Sequence, residues 1–248
     1  MKAVVEPESR IELDDAGRVR RDHFRYELNE YDLYAVEEAI RLAEAHDGQV
    51  TVLSVGPEDA VQSLRKGLAM GAHDAVFVAC PEFLADADAS AGVLAAALQR
   101  IAPDLVLAGV ESDDLGTSQV GVLVAEKLGF ACATMTIGVQ LGDGVAHVRR
   151  ELEAGSFLSV RVRLPAVLTV QTGLNEPRYP SLKGIMAAKR KELTRLELAE
   201  LGGSREPLVE TLSLSYPPPR ERARMLEGGA EAVVGELMTI LREKEKAL

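Results

Sequence analysis

Four short apolar runs constrain this chain more than any other feature of its sequence: Val50–Val55, Ala75–Val78, Leu105–Ala108 and Ala166–Val170. They lack polar alternation, which is the pattern of strands covered on both faces, as in a parallel sheet. Segments of helical period lie between them. Leu33, Val36, Ile40 and Ala43 repeat at helical spacing behind Asn29, a suitable N-cap. Val61, Leu64 and Leu68 follow Gly56-Pro57, where proline suits a first turn, and Gly71 is placed to end that helix in a left-handed cap. Leu94, Ala97, Leu98 and Ile101 form a third stripe. Val120, Leu123, Val124 and Leu128 form a fourth, closed by Gly129. This order calls for right-handed crossovers, so the expected class is α/β with a doubly wound, mostly parallel sheet.

After Gly129 the pattern changes. Val139–Leu141 and Val145–Val148 flank Gly142-Asp143-Gly144, a hairpin signal, so an inserted β-hairpin is expected. Val160, Val162 and Leu164 then alternate with Arg161 and Arg163, which gives one buried and one cationic face. A polar, proline-bearing stretch from Leu174 to Met186 leads into Lys189–Lys191, read as a solubilising helix end. Arg149-Arg150-Glu151 reads as a solvated hairpin face with internal pairing. From Gly202 the composition loosens. Pro217-Pro218-Pro219 favours an extended arm, and Val233, Leu237, Ile240 and Leu241 mark a terminal amphipathic helix after Gly228-Gly229. The expected division is an α/β nucleotide-binding domain over residues 1–201 and an arm with its helix over 202–248. That arm has no core of its own and needs a surface to lie on, either its own domain or a partner chain.

Charge narrows the possible partners. Asp and Glu number 39 against 28 Lys and Arg, for a formal net charge of -11. Such a chain is repelled by phosphodiester backbones, and with no Trp it lacks stacking platforms, so nucleic acid is excluded. Cys80 and Cys132 are not spaced for zinc or a dithiol centre and read as small core residues in a reducing cytoplasm. His23, His46, His73 and His147 are scattered, with His46 and His73 at helix ends, where capping is expected. No metal site, P-loop, GxGxxG, HExxH or GxSxG pattern is present, and no catalytic residue is assigned. The N-terminus does not read as a signal peptide, and no run approaches the ~20 apolar residues needed to span a bilayer. A soluble, cytoplasmic protein without membrane insertion is expected.

Two loops at strand C-termini are the best candidate site. One is Ser54-Val55-Gly56-Pro57. The other runs from Gly109 through Asp113, Asp114, Leu115, Gly116, Thr117, Ser118, Gln119 and Val120 to Gly121. Ligands of open α/β sheets lie at such ends, and helix N-termini there offer unpaired N–H groups to a phosphate. Asp113 and Asp114 would repel a phosphate and suit ribose hydroxyls or backbone amides better. The spacing fits a nucleotide site, and it equally fits an ordinary capped helix, because Ser, Thr and Gly are also common caps.

The segment Leu174-Asn175-Glu176-Pro177-Arg178-Tyr179-Pro180-Ser181-Leu182-Lys183-Gly184-Ile185-Met186, preceded by Leu164–Thr169 and followed by Lys189–Lys191, resembles the β subunit of electron transfer flavoprotein. Ala35–Ala39 and Leu68–Ala72 add to the resemblance, which runs from about Asn29 to Leu201. It implies a Rossmann-like, adenine-nucleotide-binding fold. It also implies a heterodimer with an α subunit that carries most of the contacts to a redox-active FAD, while this chain binds a structural AMP. By position, the AMP contacts fall on Asn29, Glu30, Tyr31, Asp32, Val55, Gly56 and the Asp113–Gly121 loop. A recognition loop over residues 164–186 is implied to dock on acyl-CoA and related flavin dehydrogenases, with Leu174 as the apolar anchor beside Asn175, Glu176, Pro177, Arg178, Tyr179 and Met186.

Two departures stand out. Many members have an acidic triplet and then Asn-Gln-Thr-Gly where this chain reads Asp114–Gly121, and the usual Lys-x-Val-x-Asp after the first strand is replaced by Val5-Glu6-Pro7. The implied function is an electron carrier without bond-making catalysis, passing electrons from fatty-acid β-oxidation toward a quinone reductase. Two alternatives stand beside it: a variant with a second FAD in place of AMP that bifurcates electrons, and an adenine-nucleotide-binding regulatory module of universal-stress type.

Overall fold

A computed structural model describes residues 1–84, 86–202, 207–219, 223–244 and 246–247. In chain order the strands are β1 (Ala3–Val5), β2 (Tyr26–Leu28), β3 (Thr51–Gly56), β4 (Asp74–Ala79), β5 (Leu105–Gly109), β6 (Ala131–Gly142), β7 (Val145–Glu151), β8 (Phe157–Arg163), β9 (Ala166–Val170) and β10 (Thr194–Glu197). The helices are α1 (Glu30–His46), α2 (Val61–Met70), α3 (Ala87–Ile101), α4 (Val120–Leu128), α5 (Leu182–Arg190) and α6 (Ala230–Thr239).

The four apolar runs are the parallel strands β3, β4, β5 and β9, and β9 is buried at every residue. β3 and β4 pair in parallel with β10 on the outside, and β5, β9 and β6 pair in parallel in a second ladder. Alternation along the strands separates two cores. Val50, Val52, Ala75 and Phe77 meet Val36, Ile40, Leu64, Leu68 and Ala188. Leu53, Val76, Val78 and Val167 meet Val93, Ala97, Leu98 and Val124. Helices α1, α2 and α5 therefore cover one face and α3 and α4 the other, which is the doubly wound arrangement. β10, a short strand with exposed charges, was not legible as a strand in the sequence.

Gly129 ends α4 in the left-handed region as expected, whereas Gly71 sits at φ 131°, ψ 7°, outside it. The inserted hairpin forms with Asp143 and Gly144 at its tip, both at positive φ, the signature of a type I′ turn. β8 adds to it antiparallel. The register of β6 shifts where it leaves β9, and Met135 at that point has φ 54°. Arg150 steadies the bulge, donating to Thr134 O at 2.7 Å and to Thr134 Oγ1 at 2.6 Å, while Arg149 lies over the Phe157 ring. This corrects the expected internal pairing of Arg149-Arg150-Glu151.

Two further expectations are corrected. Cys80 is buried, but Cys132, near the start of β6, is exposed. His73 caps no helix: its Nδ1 accepts from Val50 N at 3.0 Å at the start of β3.

α4 lies close against the sheet through Gly121, where a Cβ would stand 2.5 Å from Thr169 Cγ2. Gly121→Ala should cost about 1–3 kcal/mol through overpacking. A chemical-denaturation midpoint equal to that of the parent would contradict this contact.

The arm, where described, carries no regular structure over residues 207–219, and α6 buries none of its residues. Beyond Gly202, one hydrogen bond among the described residues joins this stretch to the preceding chain, from Leu13 N to Tyr216 Oη, 2.9 Å.

Candidate nucleotide site and docking segment

The start of α1 and the loop after β5 form one locked unit. At Gly109 a Cβ would stand 2.6 Å from Tyr31 Cβ and 3.0 Å from Asp32 N, so the helix reaches the strand end only over a glycine. Asp32, 5% exposed, straddles two strands. Its Oδ1 accepts from Gly109 N and its Oδ2 from Lys2 N, each at 2.8 Å. Asn29 holds the N-cap position but makes no cap bond. Its Nδ2 donates to Glu111 O at 2.9 Å, and its Oδ1 accepts from Asp113 N at 3.0 Å. The capping role passes to Asp113, whose Oδ2 accepts from Glu30 N at 3.0 Å.

The remaining acids of the loop are also engaged. Glu111 accepts from Tyr31 Oη at 3.0 Å and from Ser118 Oγ at 2.9 Å. Burial, followed by the Glu111 carboxylate, pushes the Tyr31 hydroxyl upward, so it remains a proton donor. Lys2 Nζ pairs with Asp114 at 2.6 Å and donates to Ser112 Oγ at 3.0 Å. Neither Glu111 nor Lys2 was singled out in the sequence, because each acquires its role only through a partner far along the chain.

Beyond Asp114 the backbone turns through Gly116 and Ser118, both in the left-handed region, into α4. Gln119 makes no side-chain cap. Among the described residues, no acceptor is hydrogen-bonded to the backbone N–H groups of Thr117, Ser118, Gln119, Val120 or Gly121. The result is an open run of donors at the positive end of a helix dipole, with open space where a Gly116 side chain would stand. The donor set suits a phosphate, and the nearby carboxylates are occupied by the chain's own groups. Val55 and Gly56 close β3 separately. A Cβ on Gly56 would touch Phe83, and no hydrogen bond among the described residues joins either residue to the Glu111–Gly121 loop.

The 174–186 segment divides into a pinned half and an exposed half. Asn175 Nδ2 donates to Tyr34 O at 3.1 Å and to Glu38 Oε2 at 3.0 Å. Arg178 forks onto Glu37 and Glu44. Leu174 and Pro177 are partly buried, whereas Glu176 is exposed. The apolar side chains offered to solvent come later: Tyr179 at 97%, Leu182 at 84% and Met186 at 53%. Leu182 and Met186 share one face of α5, which begins inside the stretch expected to be a loop. Ser181 caps that helix, accepting from Gly184 N at 3.0 Å. The i, i+4 pair behind a serine was a legible signal for this helix.

Fold and site together define an α/β chain with a run of unpartnered backbone amides at its strand ends, among the described residues, and a separate apolar ridge. Residues 18–201 match the family model described as electron transfer flavoprotein domain. The chain is 36% identical to the electron transfer flavoprotein subunit beta of Bacillus subtilis, covering all of this chain and 98% of that protein. To the same-named subunit of Methylophilus methylotrophus it is 38% identical, covering 93% of this chain and 91% of that one. The subunit of Mycobacterium tuberculosis is 42% identical over 71% of this chain and 68% of its own length. The chain belongs to the electron transfer flavoprotein family, among its β subunits. Its work is therefore electron transport alongside a flavin. Among the described residues, no helix is long and apolar enough to cross a membrane, and no three His, Cys, Asp or Glu are grouped to hold a metal.

Proposed function

We propose that this chain is the β subunit of a heterodimeric carrier, accepting electrons from acyl-CoA dehydrogenases and related flavin dehydrogenases and delivering them toward a quinone reductase. The redox chemistry belongs to the FAD held mainly by the α subunit. This chain binds AMP as part of its fold and makes or breaks no bonds. The run of unpaired amides from Thr117 to Gly121 at the head of α4 carries the AMP assignment. They would hold the phosphate, with Gly116 keeping the approach open. Asn29, Glu30, Tyr31 and Asp32 would shape the rim by fixing the loop, and Val55 and Gly56 would supply a wall at the end of β3. The described residues of the 202–248 arm, α6 among them, are not buried and fit a segment that leaves the 1–201 domain to pack on the α subunit.

The 174–186 segment supports donor docking. Exposure favours Leu182 over Leu174 as the anchor, since Leu174 is partly covered by its own domain and Leu182 stands in solvent.

Denaturing the purified heterodimer and identifying the released nucleotides tests the reading. One FAD and one AMP per heterodimer are expected. Two FAD would mean a bifurcating carrier, and a colourless homodimer holding ATP would mean a regulatory module.

A further inference from the structure

The segment that carries the exposed ridge is held to α1 by an ion-pair network larger than a surface loop requires. The Arg178 guanidinium spans two turns of α1: Nε donates to Glu37 Oε2 at 2.9 Å and Nη2 to Glu37 Oε1 at 3.1 Å. Nη1 donates to Glu44 Oε1 at 2.8 Å and Nη2 to Glu44 Oε2 at 3.2 Å. The Arg178 backbone N–H adds a bond to Glu37 Oε2 at 3.1 Å. Glu37 and Glu38 are both buried, and Glu38 takes Asn175. The side-chain hydrogen bonds it donates to Glu44 and Glu37 hold the guanidinium firmly in its charged form. A lone surface pair contributes little, but a bidentate fork onto a buried carboxylate is rigid and specific.

The position of this network explains its use. The residue after Arg178 is Tyr179, the most exposed large apolar side chain of the domain, and the cap of α5 follows two residues later. At the other end, Gly184 lies so close to α2 that a Cβ would stand 2.7 Å from Ala69 O. The ridge of Tyr179, Leu182 and Met186 is therefore pinned on both sides. Lys183, Lys189 and Arg190 around it are exposed and form no ion pair among the described residues. Such a surface fits an apolar slot rimmed by carboxylates. Holding it in one conformation before contact removes the ordering cost of binding.

We propose that Arg178, Glu37 and Glu44 form a latch that preorganises the Tyr179–Met186 ridge for docking. They are positioning residues and do not themselves touch the partner. The inference rests on the docking reading above, but it is tested separately from that reading.

The first measurement is amide hydrogen exchange over residues 174–190 in the intact heterodimer, compared with its Arg178→Met and Glu44→Gln forms. Glu44 is mostly exposed, so its substitution leaves the fold intact. Exchange should quicken about tenfold or more in Arg178→Met and by less in Glu44→Gln; unchanged exchange would overturn the latch.

The second measurement is flavin reduction by an acyl-CoA dehydrogenase. Arg178→Met should raise the apparent KM for the heterodimer about tenfold at nearly constant kcat, and Arg178→Lys should recover part of the loss. In a Leu182→Ala background Arg178→Met should add almost nothing, because both act on one contact. Additive losses, or faster exchange with an unchanged KM, would remove the latch from docking. Leu182→Ala alone without effect would sink the docking reading, while the exchange result would still decide the latch.

Discussion

Asp32→Ala is expected to cost the domain about 3–5 kcal/mol and to empty the nucleotide site. The Asp32 carboxylate is buried and serves two backbone donors, Lys2 N and Gly109 N. Each buried N–H left without an acceptor costs about 1–3 kcal/mol, with more lost because these bonds reach a charged group. The damage extends beyond stability. Asp32 ties β1 and the end of β5 to the first turn of α1, and Asn29, one turn earlier, holds the peptides of Glu111 and Asp113. Without Asp32 the loop loses the footing that aims the Thr117–Gly121 amides outward. Asp32→Asn keeps one acceptor oxygen and should lose less. Denaturant unfolding together with nucleotide content after purification checks both outcomes. A variant within about 1 kcal/mol of the parent that retains its nucleotide would show that the carboxylate does not carry the loop.

Leu182→Ala should lower kcat/KM for reduction by an acyl-CoA dehydrogenase about 10- to 100-fold, in the range of an interface hot spot. FAD content, AMP content and thermal stability should stay at parent values, since the side chain is 84% exposed and supports nothing inside its own domain. Leu174→Ala is the contrasting variant. That side chain is partly covered, so its loss should appear mainly as reduced stability. The reverse pattern, with Leu174→Ala slowing electron transfer and Leu182→Ala silent, would restore Leu174 as the anchor.

Much of this protein was legible in its sequence. The parallel strands β3, β4, β5 and β9 and the first four helices follow from runs and stripes that need no knowledge of distant residues, because burial leaves its period in the chain, although β5 is only half-buried. The Gly142-Asp143-Gly144 hairpin and the glycine closing α4 follow from local backbone chemistry. The glycine- and hydroxyl-rich loop before α4 also stands out in the sequence, and in the structure its backbone amides from Thr117 to Gly121 have no acceptor among the described residues.

The errors share one cause. Asn29 reads as a cap, and its position is that of a cap, but its side chain is used 82 and 84 residues away while Asp113 supplies the cap in its stead. Arg178 and Glu37 stand 141 positions apart, and nothing near either residue announces the other. Cys132 looks like core in its apolar run, yet its place on β6 leaves it exposed.

By itself the sequence determined the class of fold, the loops that follow its parallel strands and the family. It did so because hydrophobic period and turn chemistry are local properties of a chain. Only the tertiary structure decided which polar groups satisfy one another, which amides remain free and which leucine faces solvent. Those are properties of how elements meet, and a buried polar side chain takes whichever partner the fold brings within 3 Å or so.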